Sequence, residues 1–221
     1  MDFIIHQEEI AMQNQNNSSK NDELGPFAIF IHLGLLMFGL SAAATGLLAD
    51  DYKHIKHPGF TIHRWLGIGL AFFAGLRLIT GVIGPRSVRF IRWMPFTQAR
   101  IKLVIEDIRG LFAFRMPDRP AHQGLAGLVQ TFGLIVFFFM AATGTYLYFF
   151  LQPGQKAYSL LHDVKELHEA GLFLIPVFLS MHAGAVLLHA LRGNHIWRKI
   201  FFISDTMGKS RESAGSIPSN E

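Results

Sequence analysis

Residues 60–83 read FTIHRWLGIGLAFFAGLRLITGVI, and the fold turns on what that stretch can be. It is apolar almost throughout, with Pro58–Gly59 before it and Gly84–Pro85 after it. A helix needs about 20 such residues to cross about 30 Å of hydrocarbon, and this stretch has them. Working outward, three more stretches qualify: 27–48, 124–151 and 167–191. Pro26 and Pro153–Gly154 punctuate their ends, and Pro176 inside the last predicts a kink rather than a stop. The pattern predicts an all-α membrane protein, a four-transmembrane-helix bundle with both termini on one side.

Composition agrees. Half of the 221 residues are hydrophobic and 16% are charged, against about 25% charged in a soluble globular chain. Phenylalanine and glycine both reach 21, a pairing that suits membrane helices. The chain has no cysteine, which excludes iron–sulfur clusters, thiolate zinc sites, a cysteine nucleophile and covalently attached c-type haem. Eleven histidines are then the metal or haem ligands present in quantity. No glycine-rich nucleotide loop is present, which argues against direct NAD(P)H or flavin chemistry.

Charge sets the orientation. Of 20 Lys and Arg, fourteen fall in the tails and in the loop after the second stretch, and four in the two other loops. The positive-inside rule makes the first side cytoplasmic, so both termini are expected there, in a multi-pass protein of the bacterial inner (plasma) membrane. The net charge of +4 is thereby explained without nucleic acid. Residues 1–26 read as a polar, disordered tail, and 204–221 as a flexible one, leaving 27–203 as the membrane domain. In the second loop, Ile101, Val104, Ile105, Ile108, Leu111 and Phe112 recur at helical spacing over 97–115. They predict an amphipathic cytoplasmic helix that either lies on the inner leaflet or covers that end of the bundle.

Ionisable side chains inside membrane helices are costly, and four histidines fall at matched depths. His63 lies near the start of the second helix and His168 near the start of the fourth, both on the periplasmic side. His32 and His182 lie nearer the cytoplasmic side. His168 and His182 are fourteen residues apart, which brings them to nearly the same helix face about 21 Å apart. Two stacked histidine pairs between facing helices are what two six-coordinate haems require. Arg77 follows His63 by the same fourteen residues and points inward, where a haem propionate is a fitting partner. Arg64 can serve likewise near the periplasmic side or extend to the interface. By depth alone His189 rivals His182, whereas the small residues of Met181-His182-Ala183-Gly184-Ala185 leave room for a macrocycle beside His182. His122, before the third helix, reads as a solvated loop residue or a hydrogen-bonding one.

Taken together, His63-Arg64-Trp65-Leu66-Gly67 through Arg77-Leu78, Gly81 to Gly84-Pro85, Val88-Arg89-Phe90, His168-Glu169 and Met181-His182-Ala183-Gly184-Ala185-Val186-Leu187 resemble the bacterial di-haem cytochrome b561 family. That family includes the b-type subunits of nickel hydrogenases, and the resemblance spans about residues 27–203. It implies two non-covalent haem b groups with axial ligands at His32, His63, His168 and His182, and so favours His182 over His189. It also implies an electron-transfer oxidoreductase subunit of a respiratory chain. Electrons would pass between the quinone pool and a redox partner: a hydrogenase, dehydrogenase, small cytochrome or superoxide. The rival reading is a divalent-metal transporter or binding protein, resting on His162, Asp163, Glu166, His168 and Glu169, with His162 and Glu166 one helical turn apart.

Overall fold

The computed structural model describes residues 25–49, 58–86, 88–113, 115, 123–152 and 156–191. Within them the chain is helical: α1 (Pro26–Gly46), α2 (Pro58–Ile83), α3 (Phe90–Trp93), α4 (Gln98–Phe112), α5 (Gly124–Phe150), α6 (Leu160–Gly171) and α7 (Leu174–Leu191). Among the described residues, four helical spans are long and apolar enough to cross a membrane: α1, α2, α5, and α6 with α7 taken as one span of 32 residues. The chain divides after His182, and the described part of the second unit is the end of α7 from Ala183.

Local sequence explains where the helices start and stop. Proline occupies the first position of both α1 and α2, where its missing N–H would have had no helical partner. At the other end of α2, the Gly84 N–H closes on the Thr80 carbonyl just before Pro85 forbids continuation. The fourth span is interrupted at Leu172–Phe173, four residues before Pro176, where the predicted kink becomes a break. Pro176 has no N–H for the Leu172 carbonyl, and its ring crowds that oxygen. The turn tightens in compensation, with Leu172 N–H bonded to Glu169 O at 3.1 Å and Phe173 N–H to Ala170 O at 3.2 Å. This helix also begins at Leu160, seven residues before the apolar stretch, because its first turns carry the polar His162, Asp163, Lys165 and Glu166.

Small residues let the helices approach. Gly34 of α1 faces the Phe73 ring of α2, and Gly69 of α2 faces Phe38 of α1, each so closely that a β-carbon would overlap the ring. Ile31, Leu35, Leu70, Phe73 and Ala74 form the resulting core, while Val136, Met140 and Ile175 form another where α5 meets the fourth span. The outward residues are apolar too: Phe72, Ile79, Val82 and Ile83 of α2 are all exposed. A bundle with an apolar exterior is built for lipid.

The described part of the second loop is held by two devices that the amphipathic pattern did not reveal. The short helix α3 lays Phe90 onto Gly81 and buries Trp93 with Met94 and Leu134. Buried Asp107 of α4 accepts a hydrogen bond from the Leu125 N–H at 2.9 Å and so caps α5. Gly124 precedes that bond at φ 57°, a left-handed conformation suited to glycine, and a β-carbon there would collide with the Asp107 carboxylate. Residues 1–24 and 204–221 of the expected tails, and His122, lie outside the described residues.

Candidate functional site

The four membrane histidines come from three spans and meet in two pairs. The rings of His63 on α2 and His168 on α6 have centroids 6.1 Å apart, at 68° to one another. Those of His32 on α1 and His182 on α7 are 6.2 Å apart, at 43°. An imidazole ring's centre lies about 1 Å behind its bonding nitrogen, so metal–imidazole bonds of about 2.0–2.1 Å on opposite sides of one ion separate two centres by about 6 Å. Both pairs stand at that spacing. His189 lies in the last turn of α7.

Hydrogen bonds fix the first pair. His63 Nδ1 lies 3.0 Å from the Ala42 carbonyl of α1, an acceptor, so Nδ1 carries the proton and Nε2 keeps its lone pair. His168 Nδ1 lies 2.8 Å from Thr143 Oγ1 of α5. That hydroxyl spends its own proton on the Phe139 carbonyl at 2.8 Å, so it must accept from His168. Both imidazoles thus leave Nε2 available to a metal ion, the arrangement in which a bound histidine is oriented through its other nitrogen.

Beside this pair lies a cavity of about 330 Å³, a size found in small-molecule sites. Small residues of α1 line it at helical spacing: Gly39, Ala42, Ala43 and Gly46. A β-carbon at Gly144 would stand 3.0 Å from His168 Cε1, and one at Gly46 would stand 3.4 Å from His63 Cε1. At the cavity wall, Arg64 donates from Nη2 to the Tyr148 carbonyl at 2.9 Å and lies over the Tyr148 ring at 4.7 Å. Its Nε is buried without a hydrogen-bond partner. A buried guanidinium donor left in that state is costly unless an acceptor arrives with a ligand.

Around the second pair, the Phe178 ring lies 5.4 Å from that of His182, tilted by 30°. Arg77 donates to the Val88 carbonyl at 3.2 Å, and its guanidinium lies 4.7 Å from the Phe90 ring centre and 5.8 Å from that of Trp93. The loop after α2 therefore closes over Arg77 rather than leaving it to reach the interface.

Residues 23–202 match the family described as prokaryotic cytochrome b561. The chain belongs to that family. It is accordingly a multi-pass membrane protein of the b-type haem, electron-transferring kind. No curated protein and no solved structure matched it. The residues of this cytochrome fit the cofactor of its family: facing imidazoles at the required spacing, a cavity that α1 lines with glycine and alanine, and a buried guanidinium Nε without an acceptor.

The rival reading's metal cluster fares differently. His162 Nδ1 and Glu166 Oε1 stand 3.9 Å apart on an exposed turn, while Lys165 Nζ engages both Glu166 and Glu169. Among the described residues no three His, Asp or Glu side chains gather as a metal site. Thr143, Gly144, Tyr148 and Asp107 escaped the sequence reading. The Gly39–Ala43–Gly46 spacing on α1 was the available signal for the cavity, since small residues repeated along one helix face mark a close approach.

Proposed function

We propose that this chain is a di-haem cytochrome b that carries electrons across the bacterial inner membrane, between a redox partner and the quinone pool. The observation that carries the reading is the double pairing of histidines, each with ring centres about 6 Å apart. His63 and His168 hold one haem near the periplasmic side, and His32 and His182 hold the other near the cytoplasmic side. The bound groups supply a one-electron iron couple. The chain's own residues do the rest. An imidazole from each of two helices would hold each iron, a ligand set that favours electron transfer over oxygen binding. Ala42 and Thr143 hold the first pair of rings in orientation. Arg64 and Arg77 would neutralise propionates, and Arg64 brings a buried donor that this partner would satisfy. The excess of Lys and Arg in the tails and second loop supports cytoplasmic termini.

The test is a reduced-minus-oxidised visible spectrum of the purified protein with haem counted per chain. Two b-type haems are expected. His63→Ala or His168→Ala should remove one, and His32→Ala or His182→Ala the other. A single haem in the unaltered protein, or one lost with His189→Ala and kept with His182→Ala, overturns the assignment.

A further inference from the structure

The helix α4 carries a row of apolar side chains that the bundle does not cover. Ile101, Ile105 and Ile108 are each exposed, and Phe112 is 84% exposed. Taking Val104 as zero at about 100° per residue, Ile108, Ile101, Phe112 and Ile105 fall at about 40°, 60°, 80° and 100°. On the same scale Asp107 falls at about −60°, so Val104 and Asp107, both buried, form the face turned to α5. The uncovered row is a separate face. Lys102 and Arg109, both exposed, border one side of it at about 160° and 140°.

Where α4 sits identifies what meets that face. Its Asp107 is bonded to the first turn of α5. With 27 residues α5 is about 40 Å long, more than the roughly 30 Å of hydrocarbon, so its ends reach the headgroup level. The charges of Lys102, Glu106, Asp107 and Arg109 forbid α4 itself from spanning. A short helix held at that depth, with an apolar row edged by two cations, has the form of an interfacial helix.

We propose that α4 is embedded in the surface of the membrane that the bundle spans. Ile101, Ile105, Ile108 and Phe112 enter the boundary between headgroups and acyl chains, and Lys102 and Arg109 bind the phosphates of anionic lipids. Ile91 and Phe96, just before α4, are exposed as well. The proposal does not depend on the number of haems or on their ligands.

The absence of cysteine from the chain makes the test direct. Ile105→Cys and Ala99→Cys each place one spin label on α4 of the full-length protein, Ala99 being exposed on the opposite face. The labelled proteins are set in nanodiscs of phosphatidylcholine alone or mixed with phosphatidylglycerol. The label at 105 should collide with dissolved oxygen in preference to a water-soluble nickel chelate, with an oxygen-to-chelate ratio several-fold above that at 99. Phosphatidylglycerol should raise that ratio, and Lys102→Gln with Arg109→Gln should abolish the rise while leaving helical circular dichroism unchanged. Equal access of the chelate to both positions overturns the proposal. So does a label at 105 shielded from both reagents or broadened by a second label, because a protein surface then covers the face. Ile101→Cys gives an independent reading should the change at 105 disturb folding.

Discussion

The two histidine pairs stand at almost the same spacing, 6.1 and 6.2 Å between ring centres, yet they are held by different means. At the His63–His168 end, a backbone carbonyl of α1 and a hydroxyl of α5 orient the rings beside a cavity that α1 lines with glycine and alanine. At the His32–His182 end, an aromatic ring lies against His182, and the local cation is tied into a loop by a carbonyl and two aromatic faces. A hydrogen bond fixes both the direction of a ring and the nitrogen that holds its proton. A packed ring fixes direction alone. The first end is therefore the one where single polar atoms and single β-carbons should matter most.

The largest effect should come from filling the cavity. Gly144→Leu places a β-carbon about 3.0 Å from the His168 ring and the rest of the side chain against it. The expected result is one haem per chain instead of two, with the His32–His182 signal intact. Gly75→Leu, at a position with open space around it, should keep both. Loss of both haems in the first variant would mean that the two ends are not independent. A smaller effect is expected from Thr143→Val, which keeps the shape and removes the acceptor for His168 Nδ1. Losing such an outer partner typically weakens metal binding by about 10–100-fold, so haem at this end should be shed on dilution while the other end holds. Thr143→Ser should restore retention. The reduction potential of that haem should also rise in the valine variant, because an imidazole that no longer donates its N–H is less electron-rich and supports the oxidised iron less well.

The fold and the pairing of histidines were legible because each rests on long apolar runs and on spacing within one helix. Fourteen residues separate His168 and His182, which put both on nearly one helix face. Depth paired His63 with His168 and left His182 and His189 both open to His32. In the structure the His182 ring is the one that stands beside His32, although Leu172–Phe173 breaks the helix between His168 and His182. Partners across helices were not legible. Nothing local distinguishes Thr143 in Ala142-Thr143-Gly144 from any other threonine that bonds back to its own helix, and Ala42 contributes only its carbonyl. Likewise Arg64 and Arg77 announced themselves as cations at membrane depth, but which atoms they engage depends on Tyr148, Phe90 and Trp93, brought near by packing. The loop helix was visible as a pattern, and its attachment was not, because Asp107 reads as one more charge on a polar face until the start of α5 is placed beside it.

That attachment gives the smallest expected effect and tests whether the second end leans on the loop. Asp107 both accepts from the Leu125 N–H and puts a negative charge at the start of α5. Asp107→Asn keeps an acceptor and removes the charge, whose interaction with a helix N-terminus contributes about 0.3–1 kcal/mol. Asp107→Ala removes both, and loss of such a cap costs about 1 kcal/mol. Thermal unfolding in detergent should therefore rank the unaltered protein above Asn and Asn above Ala. The start of α5 lies eighteen residues, about 27 Å of helix, from Thr143. Haem at the His63–His168 end should consequently be indifferent to both changes, and any loosening should fall on the His32–His182 end, where Trp93 packs on Leu134 of α5 and on the loop that encloses Arg77. Equal destabilisation by Asn and Ala would assign the whole contribution to charge. A loss of haem at the first end instead would show that α5 transmits strain along its length, and that orientation by hydrogen bonds there is less local than the geometry implies.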